Sequence, residues 1–219
     1  MNIDIGLLLL RLLIGFVLFV HATQKLAGWF HGPGVEHSAA AFETIGQHPG
    51  RLLTIVAGAS ELTAGTLLLI GIATPLGAAI AVGTMVVAAV AVTTFSHSPW
   101  NEFGGGEYAW VLGGLALGLA FTGAGEYSVD ALIDAPWATA SEGESALIGL
   151  GAVALAAATA LGPVTRTRRL LNQPLNDRDE LPIGHRPGNF AADPVLRAAG
   201  SLLDSRTGHA HGADPELAG

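Results

Sequence analysis

Apolar residues gather into five runs over the first 165 positions: Ile5–Phe30, Arg51–Ile72, Pro75–Phe95, Glu107–Thr122 and Ser145–Leu161. A helix needs roughly 20 apolar residues to cross a bilayer, and all five runs are read as spans, the fourth a short one. The pattern predicts helices throughout and no strands. Trp29 and Phe30 end the first run as interfacial aromatics do. Between the first two runs, Gly32-Pro33-Gly34 marks a turn, and Ala39–Phe42 with Ile45 predicts a short helix lying on the surface. Gly71-Ile72-Ala73-Thr74-Pro75 reads as a tight turn into the third run. In the fourth, Gly114 and Gly118 have GxxxG spacing, which predicts helix packing rather than ligand binding. Pro163 is expected to end the fifth helix, at about Leu161.

From Asn172 to Gly219 the chain is rich in Pro, Gly, Asp and Arg and reads as largely disordered. Asp193-Pro194 can start one short helix there, with an apolar stripe of Val195, Leu196, Ala199, Leu202 and Leu203. His209 and His211 read as part of a solvated tail.

Composition supports a multi-span membrane protein: 50% of the 219 residues are hydrophobic and 13% charged. With no cysteine, the chain has no thiolate chemistry of its own, so redox work would need electrons from a bound cofactor or a partner. Residues 1–165 hold Arg11, Lys25 and Arg51 against eleven acids and so carry the whole net charge of −8; beyond them seven Arg offset seven acids. That balance provides no basic face for nucleic acid. The first run lacks a basic n-region and a clear small-x-small site, so it reads as a retained helix, not a cleaved leader. Arg166, Arg168 and Arg169 place the end of the fifth helix in the cytosol, and the base-free acidic stretch Gly123–Glu144 outside. The N-terminus is then outside, and the 31–50 and 96–106 loops inside.

The first run carries Arg11, His21, Gln24 and Lys25, the only lysine; the second carries Glu61. Charges inside a span are rare because they are costly. At 1.5 Å per residue, His21 and Glu61 lie about 14 and 15 Å from the inner ends of antiparallel helices, at matching depth. Lys25 is one turn from His21 on the same face, with Gln24 beside it. Ala57, Gly58, Ala64 and Gly65 share the Glu61 face and allow close helix approach, so Glu61 points into the bundle. Arg11 is expected near the outer surface, snorkelling toward Asp4 or Asp130 as a structural polar group. The carboxylate, imidazole and ammonium can serve simply as a charge-neutralising pair. They can also bind a quinone carbonyl or pass protons. His97, Glu102 and Glu107 fall on the same inner side; a haem held by His21 and His97 has no tight ligand motif behind it, and no metal site is expected.

The same residues carry a family resemblance. Leu10-Arg11-Leu12 with Gly15, His21 and Gln24-Lys25-Leu26 resembles the first helix of the DoxX family of small membrane proteins. Ala57–Gly65 around Glu61, followed by Gly71–Pro75, is similar to the second helix and its turn. Gly105-Gly106-Glu107-Tyr108 and Gly125–Asp130 resemble later landmarks, although Glu126 stands where the family more often has a basic residue. The resemblance implies an all-α integral membrane bundle with a four-helix core over residues 1–133. Residues 134–165 then hold an extracytoplasmic acidic loop end and a fifth transmembrane helix, and 166–219 a mostly disordered cytosolic tail.

Three functions are open. The first is a bacterial plasma-membrane subunit of a quinone- or thiol/sulfur-linked oxidoreductase system, since the family includes subunits associated with thiosulfate:quinone oxidation. In it Glu61, His21 and Lys25 would be catalytic and Gln24, His97 and Glu107 would bind substrate. The second is a non-catalytic scaffold whose tail recruits soluble enzymes, because other members associate with sulfurtransferase and superoxide dismutase. The third is a small transporter, disfavoured by the lack of paired interrupted helices or an inverted repeat.

Overall fold

The computed structural model describes residues 2–172. These residues form seven α-helices and no strand. They are α1 (Asn2–Ala27), α2 (Gly34–Thr44), α3 (Gly50–Ile70), α4 (Thr74–Ser96), α5 (Glu107–Thr122), α6 (Val129–Leu132) and α7 (Glu142–Leu171), with one 3₁₀ turn at Asn101–Phe103. Four of them (α1, α3, α4 and α7) are long and apolar enough to cross a membrane, while α5 is a shorter apolar helix packed against α4. The chain is thus a helical membrane bundle. The short surface helix expected around Ala39–Ile45 is α2, which buries Ser38 and Ala39 against its neighbours.

α1 and α3 make the most intimate contact, and they run antiparallel. Leu26 packs on Gly58, Lys25 meets Glu61, Gly15 faces Gly65, and Arg11 reaches Leu68, so residue numbers rise along one helix as they fall along the other. The crossing is set by glycine. A Cβ on Gly65 would lie 2.9 Å from the Gly15 carbonyl oxygen, and one on Gly15 would lie 2.9 Å from the Gly65 carbonyl oxygen. In lipid, where helices gain little from hydrophobic burial, such backbone proximity is a main source of packing energy. The buried stripe of α3 (Thr54, Gly58, Glu61, Ala64, Gly65 and Leu68) repeats every three or four residues and so forms one helix face.

α4 is the central helix, packing on α3, α5 and α7, with Ala78, Ala81, Met85 and Ala89 in the core. Gly83 sits against Ala156 and Thr159 of α7, and Gly113 of α5 against Met85. Gly114 and Gly118 do not fill the packing role their spacing predicts: nothing lies within 4 Å of a Cβ on either. The packed face of α5 is Leu112, Gly113, Ala116, Leu119 and Ala120 instead, so the GxxxG pair points away from the bundle.

α7 also departs from expectation. It continues through Pro163 to Leu171, past both the expected end at Leu161 and the boundary expected at residue 165. Proline is tolerated in a long membrane helix where neighbouring groups compensate for the lost backbone bond. Thr165 Oγ1 adds bonds to the Leu161 and Gly162 carbonyls, reinforcing the helix around Pro163 without replacing the bond to Thr159 that proline cannot make. Beyond Pro163 the helix is pinned to the α2–α3 connection: Gln47 Nε2 donates to Thr167 Oγ1 at 2.6 Å with both side chains buried, and Leu171 packs on Gly46. The short helix expected from Asp193 and the histidines at 209 and 211 lie outside the described residues.

Because the α1–α3 crossing leaves no room for a methyl group, Gly65→Ala should destabilise the bundle by about 1–3 kcal/mol. Gly118→Ala, at an open position, should leave it unchanged or slightly more stable. Thermal unfolding of the two variants in the same detergent compares them directly.

Candidate functional site

Two polar centres lie near opposite ends of the α1–α3 contact. At the first, Lys25 Nζ bonds both carboxylate oxygens of Glu61, at 2.5 and 2.7 Å. Glu61 is 2% exposed and Lys25 21%. Glu61 falls on the stripe of α3 that faces α1, between Gly58 and Gly65, where no larger residue separates the helices. Taking a lone carboxylate out of water costs several kcal/mol, and only an opposite charge with good hydrogen-bond geometry offsets it. Lys25, one turn beyond His21, supplies both.

Two further elements close around this pair. The ammonium of Lys25 lies 6.0 Å from the centroid of the Phe42 ring on α2, at cation–π range. His21 on α1 and Tyr108 in the first turn of α5 meet ring to ring, 5.7 Å between centroids and tilted by 51°. Neither His21 nor the Tyr108 hydroxyl makes a hydrogen bond among the described residues. The site therefore combines a neutralised buried ion pair with two titratable rings whose polar atoms are free to bond something else. No group of three or more His, Asp or Glu suited to a metal occurs among the described residues.

The other expected binding residues sit apart. Gln24 turns its amide to the Phe30 carbonyl at 3.5 Å. His97 is exposed at the C-cap of α4 with a left-handed φ of 55°. Glu107 accepts from the Asn101 amide, holding the 3₁₀ turn to α5. None of the three hydrogen-bonds to Glu61, Lys25 or His21 among the described residues. Tyr108 and Phe42 are the members that residue pattern alone did not single out. The Glu107-Tyr108 landmark pointed toward the first. The second needed the knowledge that α2 folds back onto α1.

The second polar centre corrects the expectation for Arg11. Its side chain does not snorkel to the surface: Arg11 is 1% exposed and donates to the Leu68 carbonyl at 3.1 Å and the Tyr127 carbonyl at 2.5 Å. Asp130 is also fully buried, but its carboxylate accepts from the amides of Ala73 and Thr74, at 2.7 and 2.9 Å, without an ion pair to Arg11. Each charge goes to a helix end. α3 ends where carbonyls are unpaired and the dipole is negative, and α4 begins where amides are unpaired and the dipole is positive. Gly71 lies between them at φ 71°, and a side chain there would strike the Arg11 guanidinium. The Asp130 amide donates in turn to the Gly71 carbonyl, locking the loop after α5 onto the α3–α4 turn.

Removing one member of a buried pair strands the other. Lys25→Met should therefore destabilise the protein by about 3–5 kcal/mol. Glu61→Gln should cost less, because the ammonium, 21% exposed, can rehydrate. The double variant should recover most of the Lys25→Met loss, which a double-mutant cycle on thermal or denaturant unfolding would measure.

The family model DoxX matches residues 6–94. No curated protein and no solved structure matches the chain. The match spans α1 to α4 with Arg11, His21, Lys25 and Glu61 inside it, and it agrees with the resemblance carried by those residues.

Proposed function

With residues 6–94 a DoxX domain of a multi-pass helical membrane protein, we propose that the chain is a subunit of a membrane oxidoreductase system. The Glu61, Lys25, His21 and Tyr108 cluster is its working site, and a quinone the substrate it suits. The observation that carries this reading is a buried, doubly bonded carboxylate beside two rings that have unused hydrogen-bonding atoms. A quinone becomes a quinol by taking two electrons and two protons. This chain has no cysteine to supply the electrons, so in this reading they come from a soluble redox partner. The chain supplies binding and protons. His21 and Tyr108 suit a ring carbonyl as hydrogen-bond donors. Glu61, ionised in its pair with Lys25, takes up a proton from the water-facing side and passes it to the reduced ring oxygen, and Lys25 stabilises the carboxylate that is restored. The α1–α5 seam, where Tyr108 is half exposed, gives a hydrophobic molecule lateral entry from lipid. Gln24, His97 and Glu107, on the same side of the bundle, would border the water-facing approach. In this reading the Lys25 end faces the cytosol of a bacterium and the Asp130 end faces out, by the exposed arginines at the end of α7.

A second reading has its own support. α7 carries Arg166, Arg168 and Arg169, all exposed, beyond Pro163 on a segment anchored by the buried Gln47–Thr167 bond. A rigid basic platform leading into residues 173–219 suits a scaffold that recruits soluble enzymes of the sulfurtransferase or superoxide dismutase kind.

Membranes bearing Glu61→Gln should lose at least about tenfold of the quinone-dependent turnover shown by wild type, in the range of a lost proton-transfer group. Tyr108→Phe should raise KM for the quinone more than it lowers kcat. Turnover unchanged in Glu61→Gln, together with loss of partner pull-down on deleting residues 173–219, would leave the scaffold as the function.

A further inference from the structure

At the Asp130 end of the bundle, away from Glu61, a cavity of about 450 Å³ opens between the first turns of α1, the end of α5 and the start of α7. That volume suits a small organic molecule. Its apolar walls come from Leu7, Phe121, Ile148 and the indole of Trp137, and the two aromatic rings stay partly uncovered at 37% each. Its charged groups are Asp4 and Glu126. Among the described residues no Lys, Arg or His lines it.

The two carboxylates differ in duty. Asp4 accepts the Glu126 amide at 3.2 Å and so holds the 123–126 loop in place. The Glu126 carboxylate is exposed at the rim and makes no hydrogen bond among the described residues. α5 ends in this wall at Thr122, where its last carbonyls add partial negative charge. Across Trp137 a second cavity of about 410 Å³ repeats the chemistry, with Glu144 on its lining and again no base. The field is acidic on a larger scale too, since Gly123–Glu144 holds five acids and no base.

We propose that this cavity binds a small amphipathic organic cation, an alkylammonium whose charge lies between Glu126 and the Trp137 ring and whose apolar body lies against Leu7, Phe121 and Ile148. A cation gains from a carboxylate and an indole face together in a partly desolvated place. A carboxylic acid or a phosphate is repelled by the Asp4 and Glu126 carboxylates of the lining. The same reasoning sets a lipid headgroup aside, as its phosphate would enter within a few bonds of its ammonium. The site is independent of the Glu61 cluster and would stand whether or not that cluster handles a quinone.

The test is calorimetric titration of the full-length protein in phosphatidylcholine nanodiscs with hexylammonium, using empty nanodiscs as baseline and hexan-1-ol as the neutral match. Saturable one-to-one binding of hexylammonium is expected, with none for the alcohol. Affinity should fall at least about tenfold in Glu126→Gln and in Trp137→Ala, and stay unchanged in Glu61→Gln. Thermal unfolding shows that the variants remain folded. Absence of saturable binding, equal binding of the alcohol, or wild-type affinity in Glu126→Gln would each overturn the proposal. So would loss of binding in phosphatidylethanolamine nanodiscs, which would make a lipid headgroup the occupant.

Discussion

The structure depends on the glycine-to-glycine contact of α1 and α3. Gly15 and Gly65 bring two backbones so close that neither tolerates a Cβ. That proximity decides what becomes of the charges on either side of it. Arg11 and Lys25 lie 14 residues apart on α1, about 21 Å along the helix. Two cations inside an apolar helix are an expense that lipid cannot offset. Here each is pressed against α3 and finds acceptors there: Arg11 the Leu68 carbonyl near the helix end, Lys25 the Glu61 carboxylate in its middle. Without the close crossing, both would have to reach for water.

The two ends solve the same problem by different chemistry. At the Asp130 end, the opposite charges do not meet as a salt bridge. Each complements the dipole of a separate helix terminus, and between them they staple the α3–α4 turn to the loop after α5. That is a structural device, with Arg11 and Asp130 both fully enclosed. At the Lys25 end, the carboxylate and ammonium bond directly, but the arrangement is less closed. Lys25 retains some exposure, α2 covers it through Phe42, and the His21–Tyr108 pair borders the α1–α5 seam. The Arg11–Asp130 centre is sealed by burial, although Arg11 Nε has no partner among the described residues, whereas an imidazole and a phenol left unbonded beside a partly open seam can exchange partners. This contrast favours the Lys25 end as the working site.

Much of this was legible in the chain. Length and hydropathy of the apolar runs specify a helical membrane protein, because a backbone in lipid must satisfy its own hydrogen bonds and a helix does so locally. Depth along a regular helix is arithmetic, so His21 and Glu61 could be matched at 1.5 Å per residue before any fold was seen, with Lys25 one turn away. The small residues flanking Glu61 on one face announced a buried side chain. These inferences hold because each depends on a single helix and its period.

Tertiary structure decided whatever depended on which neighbour a face meets. Gly114 and Gly118 have the spacing of a packing motif, but α4 packs beside them on Gly113 and Ala116, and spacing alone carries no direction. Pro163 removes one backbone bond, yet α7 continues because Thr167 and Leu171 dock on the 46–47 loop, a contact 120 residues distant in sequence. Arg11 looked like a surface group from its depth near a helix end; only the loop returning after α5, with its Tyr127 carbonyl and Asp130, turned that position into an interior. Sequence by itself determined the helices, their membrane character and the nearness in depth of Glu61 to His21 and Lys25; that Lys25 takes the carboxylate was decided by the fold. The fold decided which surfaces are buried, since burial belongs to pairs of elements and no single helix encodes its partner.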